Sequence, residues 1–600
     1  KQFRKVSGQE EAVGEYFAWR FTDREVILDK EDISAIFRKA IVEDDIPIVS
    51  IEDGFSEEDD QGWASLMDDF GDTHMFVVGD DNVTTNDAII EKKCDVIRER
   101  SGKKGIINAL LTKANQIGTV TETILAMLVG YAKGLELIIS HRSKSPNETM
   151  EAHLALGADA MGMKCGGGAN TERLVKYDAV LSLMAKTIKK AEDQAEKSIR
   201  ESLSAGKVQD LERKIDELLN ELSITKITAS EVPTNAGIPT INIEICFGIP
   251  GSKRFEHFWT FTGATPLGTS AGTTEAIHLV DSVIEPYMLR ESGLHSREEM
   301  DQILVFVKGD NTYRFKRGVG EKVADFGNSN LSELYRRALR YPKAGGIIVG
   351  GNVIEYEAGQ GCLNAQDYAN TVLADAFVGK RLSDLKDLFE IDSQLLKLEL
   401  EIALQRGKIS PDATREQKEQ IMMVKGQLGM NAILSQSLAL GRLAAHMQGK
   451  ELWQLIRKLM TNTMAKAIAS YGGIDLFNLI RRHNRKVTEE IIAMEGLDEE
   501  SKNALIKHRT LPTNALVRVK QKTYQADEAK AVWMAFEEGL TFRELIVAFQ
   551  VVANKVNEQG IKTHKMLRSI LPVYGEDTEV VPIDPIFWFS EHVTEPSETG

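Results

Sequence analysis

Only four cysteines occur in 600 residues, Cys94, Cys165, Cys246 and Cys362, and none forms a CxxC pair. That scatter argues against a disulfide framework or a cysteine zinc cage and predicts reduced, packed thiols. Equally absent are an apolar run long enough to span a bilayer and a leader-like start, so the expectation is a cytoplasmic protein without a membrane partner. Basic charge is also short: 73 Lys and Arg stand against 90 Asp and Glu, a net charge of −17. Such a surface disfavours nonspecific nucleic-acid binding. With 42% hydrophobic and 27% charged residues, the chain has material for more than one core.

What is present is repetition. The apolar runs IPIVSIED, HMFVVGDD, INALLTK, LELIISHRS and ADAMGMK reach Glu52, Asp80, Lys113, then His141, Arg142 and Ser143, and finally Lys164. Each is followed by a polar turn and a helical pattern, the repeating βα signal of a parallel barrel. In such barrels chemistry gathers at the carboxyl ends of the strands, where the βα loops lie. Two acids, two lysines and an arginine on one rim read as an anion and metal site rather than a core. Taken singly, the same residues have blander readings: Glu52 and Asp80 as helix-start acids, Lys113 as a snorkelling lysine, His141 as a satisfied buried imidazole.

The strings VSIEDGFSEEDDQGW, VVGDDNVTTN, LLTKANQIGTVTET, IISHRS and LALGADAMGMKCGGGANTERLVKYDAVL follow one another in a fixed order. In that order they resemble the second half of the enolase (phosphopyruvate hydratase) family. The resemblance implies an α/β fold, an eight-stranded TIM-like barrel plus an α+β amino-terminal-type cap domain. Further along, residues 224–248 resemble the opening hairpin of that cap domain, and PLGTSAGTTEAIHLVD (266–281) its mobile loop with a metal-binding serine, here Ser270. Residues 425–459 resemble its helical part, and LPTNALVRV from Leu511 the first barrel strand. The resulting division is 1–195 second barrel half, 196–223 helical linker, 224–460 cap-like domain with insertions, and 461–600 an insertion followed by the first part of the barrel. This order is rotated relative to the family, through either a circular permutation or a rearranged numbering; permutation is tolerable because domain termini usually lie at the surface and often close together.

The family chemistry is removal of the α-proton of 2-phosphoglycerate and expulsion of the β-hydroxyl to give phosphoenolpyruvate. The resemblance assigns Lys113 as base and Lys164 as the cation facing the substrate carboxylate, with one or two Mg²⁺ ions holding the enolate, the arrangement general to enolase-superfamily sites. Glu52 and Asp80 would be Mg²⁺ ligands, and Glu10 falls where the family carries a third, an aspartate. Arg142 and Ser143 would take the phosphate, a guanidinium fork suiting its oxygens, with His141 beside them.

Elimination needs a proton donor, and here the sequence departs from the family. An ungapped match puts Tyr524 at a histidine and Trp533 at a catalytic glutamate, while GEDTEVVP leaves Asp577 where the acid glutamate should be. Tyrosine titrates far above a carboxylic acid and tryptophan does not titrate. The loop PLGTSAG has Leu267 and Ala271 in place of hydroxyl residues. A severe loss of dehydration is the expectation.

Three readings follow. The preferred one is a catalytically impaired or inactive enolase paralogue serving as a structural or assembly subunit, in the cytoplasm or within a cytoskeletal or other large assembly. The others are an active Mg²⁺-dependent phosphopyruvate hydratase and a non-catalytic sensor of a phosphorylated acid. The resemblance also implies a homodimer, although Ala236 stands where the family has an arginine. Insertions at about 283–310, 327–363 and 462–510 offer surface for larger assemblies. Val208, Leu211, Ile215, Leu218 and Leu222 form a stripe of about two heptads, read as a helix packed on its own domain, with a partner helix as the alternative.

Overall fold

The computed structural model describes residues 14–17, 27–71, 73, 75–201, 222–235, 239–250, 259–268, 272, 274–281, 283–284, 304–307, 312–315, 348–349, 352–353, 361–385, 387–472, 485, 488–489, 491–493, 498–509 and 541–575. Glu10, Ala236, Ser270, Ala271, Tyr524, Trp533 and Asp577, the 208–218 part of the heptad stripe and the strand expected from Leu511 lie outside these residues.

A short antiparallel pair, β1 (Glu15–Phe17) and β2 (Ile27–Asp29), leads into α1 (Lys30–Arg38). The Asp29 side chain accepts from the backbone N–H groups of Glu31 and Asp32, satisfying donors that a helix start leaves without partners.

Next come five parallel strands: β3 (Ser50–Glu52), β4 (Phe76–Gly79), β5 (Ala109–Thr112), β6 (Glu136–Ser140) and β7 (Gly162–Lys164). They lie side by side in chain order. The crossovers carry α2 (Asp60–Leu66), α3 (Asp87–Asp95), α4 (Val120–Ala132) and α5 (Met150–Ala158), and α6 (Thr171–Glu201) follows β7. Repeated βα units of one hand produce this order, and among the described residues it makes half a barrel. All four residues of β5 are buried, the mark of a strand covered on both faces. Helix α4 is buried at every position. Its sequence is apolar nearly all round, and such a helix belongs inside.

A second sheet is antiparallel, ordered β10 (Trp259–Ala264), β9 (Pro239–Gly248), β8 (Ser223–Pro233). In β9, Ile241, Ile243, Ile245 and Phe247 are buried at alternate positions, the period of a strand with one face on a core. Helices α7 (Leu363–Tyr368), α8 (Leu388–Gln405), α9 (Arg415–Val424) and α10 (Met430–Met447) follow, with α10 against β9 and β10. Then come α11 (Leu452–Gly472), α12 (Phe542–Glu558) and α13 (Thr563–Ile570). One apolar core runs through both parts, joining Leu110 and Leu137 to Ile243, Leu438 and Phe549.

The two parts are also pinned by a buried charge. Lys425, fully buried after α9, donates from Nζ to Glu122 Oε1 in α4 at 2.9 Å, and the Tyr574 hydroxyl donates to the same oxygen at 2.6 Å. A buried lysine is tolerated only when it is paired and hydrogen-bonded in this way.

A candidate active site at the strand ends

Every rim residue read from the sequence that falls within the described residues sits at or just past the carboxyl end of its strand. Glu52 closes β3, Asp80 follows β4, Lys113 follows β5, His141, Arg142 and Ser143 follow β6, and Lys164 closes β7. A cavity of about 250 Å³ brings together Asp80, Lys113, His141, Arg142, Ser143 and Lys164. Asp81 and Arg173 line it too.

Each of three cations there touches a carboxylate. Lys113 Nζ donates to Asp80 Oδ2, and Gln116 Nε2 donates to Asp80 Oδ1 at 2.9 Å. Lys164 Nζ donates to Glu52 Oε1 at 2.6 Å. Arg142 donates from both Nη atoms to the two oxygens of Glu275, at 2.9 and 3.0 Å. Such a bidentate fork fixes the guanidinium plane as well as its charge.

Glu275 comes from the segment that leaves β10 and crosses the rim. Leu267 exchanges backbone hydrogen bonds with Lys144, at 2.7 and 3.1 Å. Asn115 Nδ2 donates to the Pro266 carbonyl at 3.1 Å, and the Thr84 and Thr274 hydroxyls lie 2.6 Å apart. The Ala276 N–H donates to the Gln116 carbonyl at 2.8 Å. Gly268 is required by close approach: a Cβ there would lie 1.7 Å from Arg142 Nη2. The rim is thus built from two segments far apart in sequence.

The acids form a second group. Backbone N–H groups of Asp80 and Asp81 donate to Asp53, each at 3.1 Å. Burial pushes Asp53 up to about 7 in spite of those bonds, and burial with the neighbouring Asp80 charge lifts Asp81 to about 6. Among the described residues, Asp53, Asp80 and Asp81 present carboxylate oxygens within 4.8 Å of one another. Crowded oxygens that hold protons against their own repulsion suit a hard divalent cation such as Mg²⁺. His141 moves the other way: burial, then Arg173, Lys176, Lys164 and Lys113, lower it to about 4, so its imidazole is neutral at pH 7.

Sequence reading named Glu52 and Asp80 but passed over Asp53 and Asp81, although IED and GDD placed each beside a named acid. It also passed over Gln116, Arg173 and Glu275, although each lies in a string singled out above, LLTKANQIGTVTET, GGGANTERLVKYDAVL and PLGTSAGTTEAIHLVD.

The family model described as "Enolase, C-terminal TIM barrel domain" matches residues 17–202. Over this segment the chain is similar to the barrel domain of the enolase family. The enolase of Helicobacter pylori (strain J99) is 34% identical over 173 residues, which are 29% of this chain and 38% of that protein. The enolase of Helicobacter acinonychis (strain Sheeba) has the same identity and coverage. The chain therefore spans well under half the length of these relatives. The enolase segment contains all seven rim residues from Glu52 to Lys164, whereas Glu275 lies beyond the match. No helix among the described residues is long and apolar enough to cross a membrane.

Proposed function

We propose that this chain keeps the substrate-binding and proton-abstracting half of an enolase-type site and is impaired in the elimination half. The observation that carries the reading is the single cavity shared by Lys113, His141, Arg142, Ser143 and Lys164 with Asp80. A phosphorylated carboxylic acid of the 2-phosphoglycerate type suits it, because cations on separate strand ends can take its two anionic ends. In this reading Lys113 is the base, receiving the α-proton at Nζ, while Asp80, itself oriented by the Gln116 amide, holds that ammonium in place. Lys164 faces the substrate carboxylate, exchanging its bond to Glu52 for one to the ligand. Ser143 and the guanidinium edge of the cavity take the phosphate. The neutral imidazole of His141 serves as a hydrogen-bonding wall rather than a charge.

Asp80, with Asp53 and Asp81 beside it, would supply oxygens for Mg²⁺, with Glu52 a further proposed ligand once released from Lys164; the ion when bound would stabilise negative charge on the enolate. Glu10 and Ser270 are further proposed ligands, and Asp577 the proposed remnant acid; all three lie outside the described residues. The substitutions at Tyr524 and Trp533 support impairment, because neither side chain replaces a carboxylic acid as proton donor at neutral pH. A structural or assembly role, and a homodimer, would draw on surface outside the enolase match. Outside the match lies an antiparallel sheet of Val283–Ile284, Leu304–Val307 and Thr312–Phe315.

Incubation with 2-phosphoglycerate and Mg²⁺, followed by absorbance of phosphoenolpyruvate, tests the impairment. Product at the rate of an active enolase run in parallel would overturn it; a rate lower by roughly 10²-fold or more supports it.

A further inference from the structure

The crossing segment and the strand end that carries Lys113 meet at one buried amide. Gln116 lies in the short helical turn Ala114–Ile117 directly after Lys113, and its side chain is fully buried. Its Nε2 donates to Asp80 Oδ1 at 2.9 Å and, at 3.4 Å, more weakly to Glu275 Oε1. Its Oε1 accepts from the Thr85 hydroxyl at 2.6 Å. That hydroxyl accepts from the Lys113 N–H at 3.0 Å, so its own proton goes to Gln116. Carboxylates only accept, and the amide therefore has one orientation that satisfies both ends. The main-chain carbonyl of Gln116 takes the Ala276 N–H at 2.8 Å.

A buried glutamine with partners is ordinary; the backbone beside it is not. Thr84 and Thr85 have φ +46° and +51°, in the left-handed region that β-branched residues avoid. Both hydroxyls are used at this junction, Thr85 on Gln116 and Lys113 and Thr84 on Thr274 of the crossing segment. Gly272 permits that approach, since a Cβ there would lie 2.5 Å from Thr84 Cγ2. Consecutive strained residues persist only where the surroundings over-determine them, and they cluster at functional sites. What this frame holds is Asp80. Its Oδ2 accepts from Lys113 and its Oδ1 from Gln116, and because each carboxylate oxygen offers two lone pairs, a cation can share the group with both.

We propose that Gln116 is a positioning residue, whose amide fixes the Asp80 carboxylate so that it faces Lys113 and a divalent cation together. Thr85 acts at one remove, by holding the amide in its single orientation. This rests on the reading that Asp80 serves Mg²⁺, and it leaves Arg142 and Ser143 as the anion contacts.

The experiment is calorimetric titration of the full chain with Mg²⁺ alone and, separately, with inorganic phosphate, using the parent, Gln116→Met and Thr85→Val. Thermal unfolding of each verifies the fold. Partners that orient a ligating carboxylate commonly carry roughly 10- to 100-fold of metal affinity, so Q116M should bind Mg²⁺ that much more weakly. Its phosphate affinity should stay that of the parent, because Arg142 keeps both bonds to Glu275. T85V, which keeps the amide but frees its orientation, should show the same pattern to a smaller degree, and it carries the test if Q116M does not fold. A merely structural glutamine would weaken both ligands together or neither, and either result would overturn the proposal, as would a parent that does not bind Mg²⁺. Selective loss of Mg²⁺ affinity in Q116M with a parent that exchanges no α-proton would uphold the assignment while removing the proposed chemistry. Parental Mg²⁺ affinity in Q116M with exchange intact would do the reverse.

Discussion

Glu275 grips Arg142 with both carboxylate oxygens, at 2.9 and 3.0 Å, across 133 residues of sequence. Each side chain is only 5% exposed. The Gly272 N–H also donates to Glu275, at 3.1 Å, so the pair anchors the crossing segment as well as the rim.

Breaking that pair from one side strands a buried charge. Glu275→Ala should cost roughly 3–5 kcal/mol of stability, measured by urea unfolding. The double variant Glu275→Ala, Arg142→Met should recover part of that loss, because it removes the uncompensated guanidinium; a double variant at the sum of the single losses would show no coupling.

Lys425→Met leaves Glu122 buried with the Tyr574 hydroxyl as its remaining close partner from that trio. A loss of about 3–5 kcal/mol is expected. Because Glu122 is in α4 and Lys425 follows α9, the barrel segment and the second sheet should lose structure together. Circular dichroism and tryptophan fluorescence should then give coincident melting curves.

Glu399 gives a pH dependence of known sign. It is buried, accepts from the Gln427 and Leu428 N–H groups at 2.7 and 2.8 Å, and burial raises it from 4.5 to about 7. The folded state therefore holds a proton that the unfolded state releases near 4.5. Its contribution is fully present below about 4.5 and is lost as pH rises to about 7. At ~1.4 kcal/mol per unit, the loss is on the order of 3 kcal/mol. In Glu399→Gln the fall in stability between about pH 4.5 and about pH 8, measured against the parent, should flatten by about that amount.

Metal binding should carry the opposite pH signature. Asp53 and Asp81, raised to about 7 and about 6, must lose protons before they can hold a cation. Mg²⁺ should therefore raise the melting temperature more at pH 8 than at pH 5.5, and Asp80→Asn should abolish the effect. Equal shifts at both pH values would place the cation elsewhere.

The strand-end residues were legible because each ends an apolar run that a parallel strand must bury, and a polar residue at that point has one place to go. The crossing segment was legible only as a string around Ser270; that it locks onto Arg142 through Glu275 depends on a contact 133 residues long. Arg173 gave no signal, since an arginine in the first turn of a helix is ordinary until the cavity is placed around it. The raised acids were hidden for a similar reason. Asp53 and Asp81 are unremarkable in sequence, and their pKa values come from burial and from each other's neighbourhood in the fold.

The central claim is that Lys113 still removes a proton although elimination is impaired. The most direct measurement is deuterium exchange at the α-carbon of 2-phosphoglycerate, followed by NMR in deuterated water with Mg²⁺, for the parent and Lys113→Ala. The account predicts exchange in the parent, little phosphoenolpyruvate, and loss of exchange in K113A. A parent that exchanges no faster than K113A would contradict it.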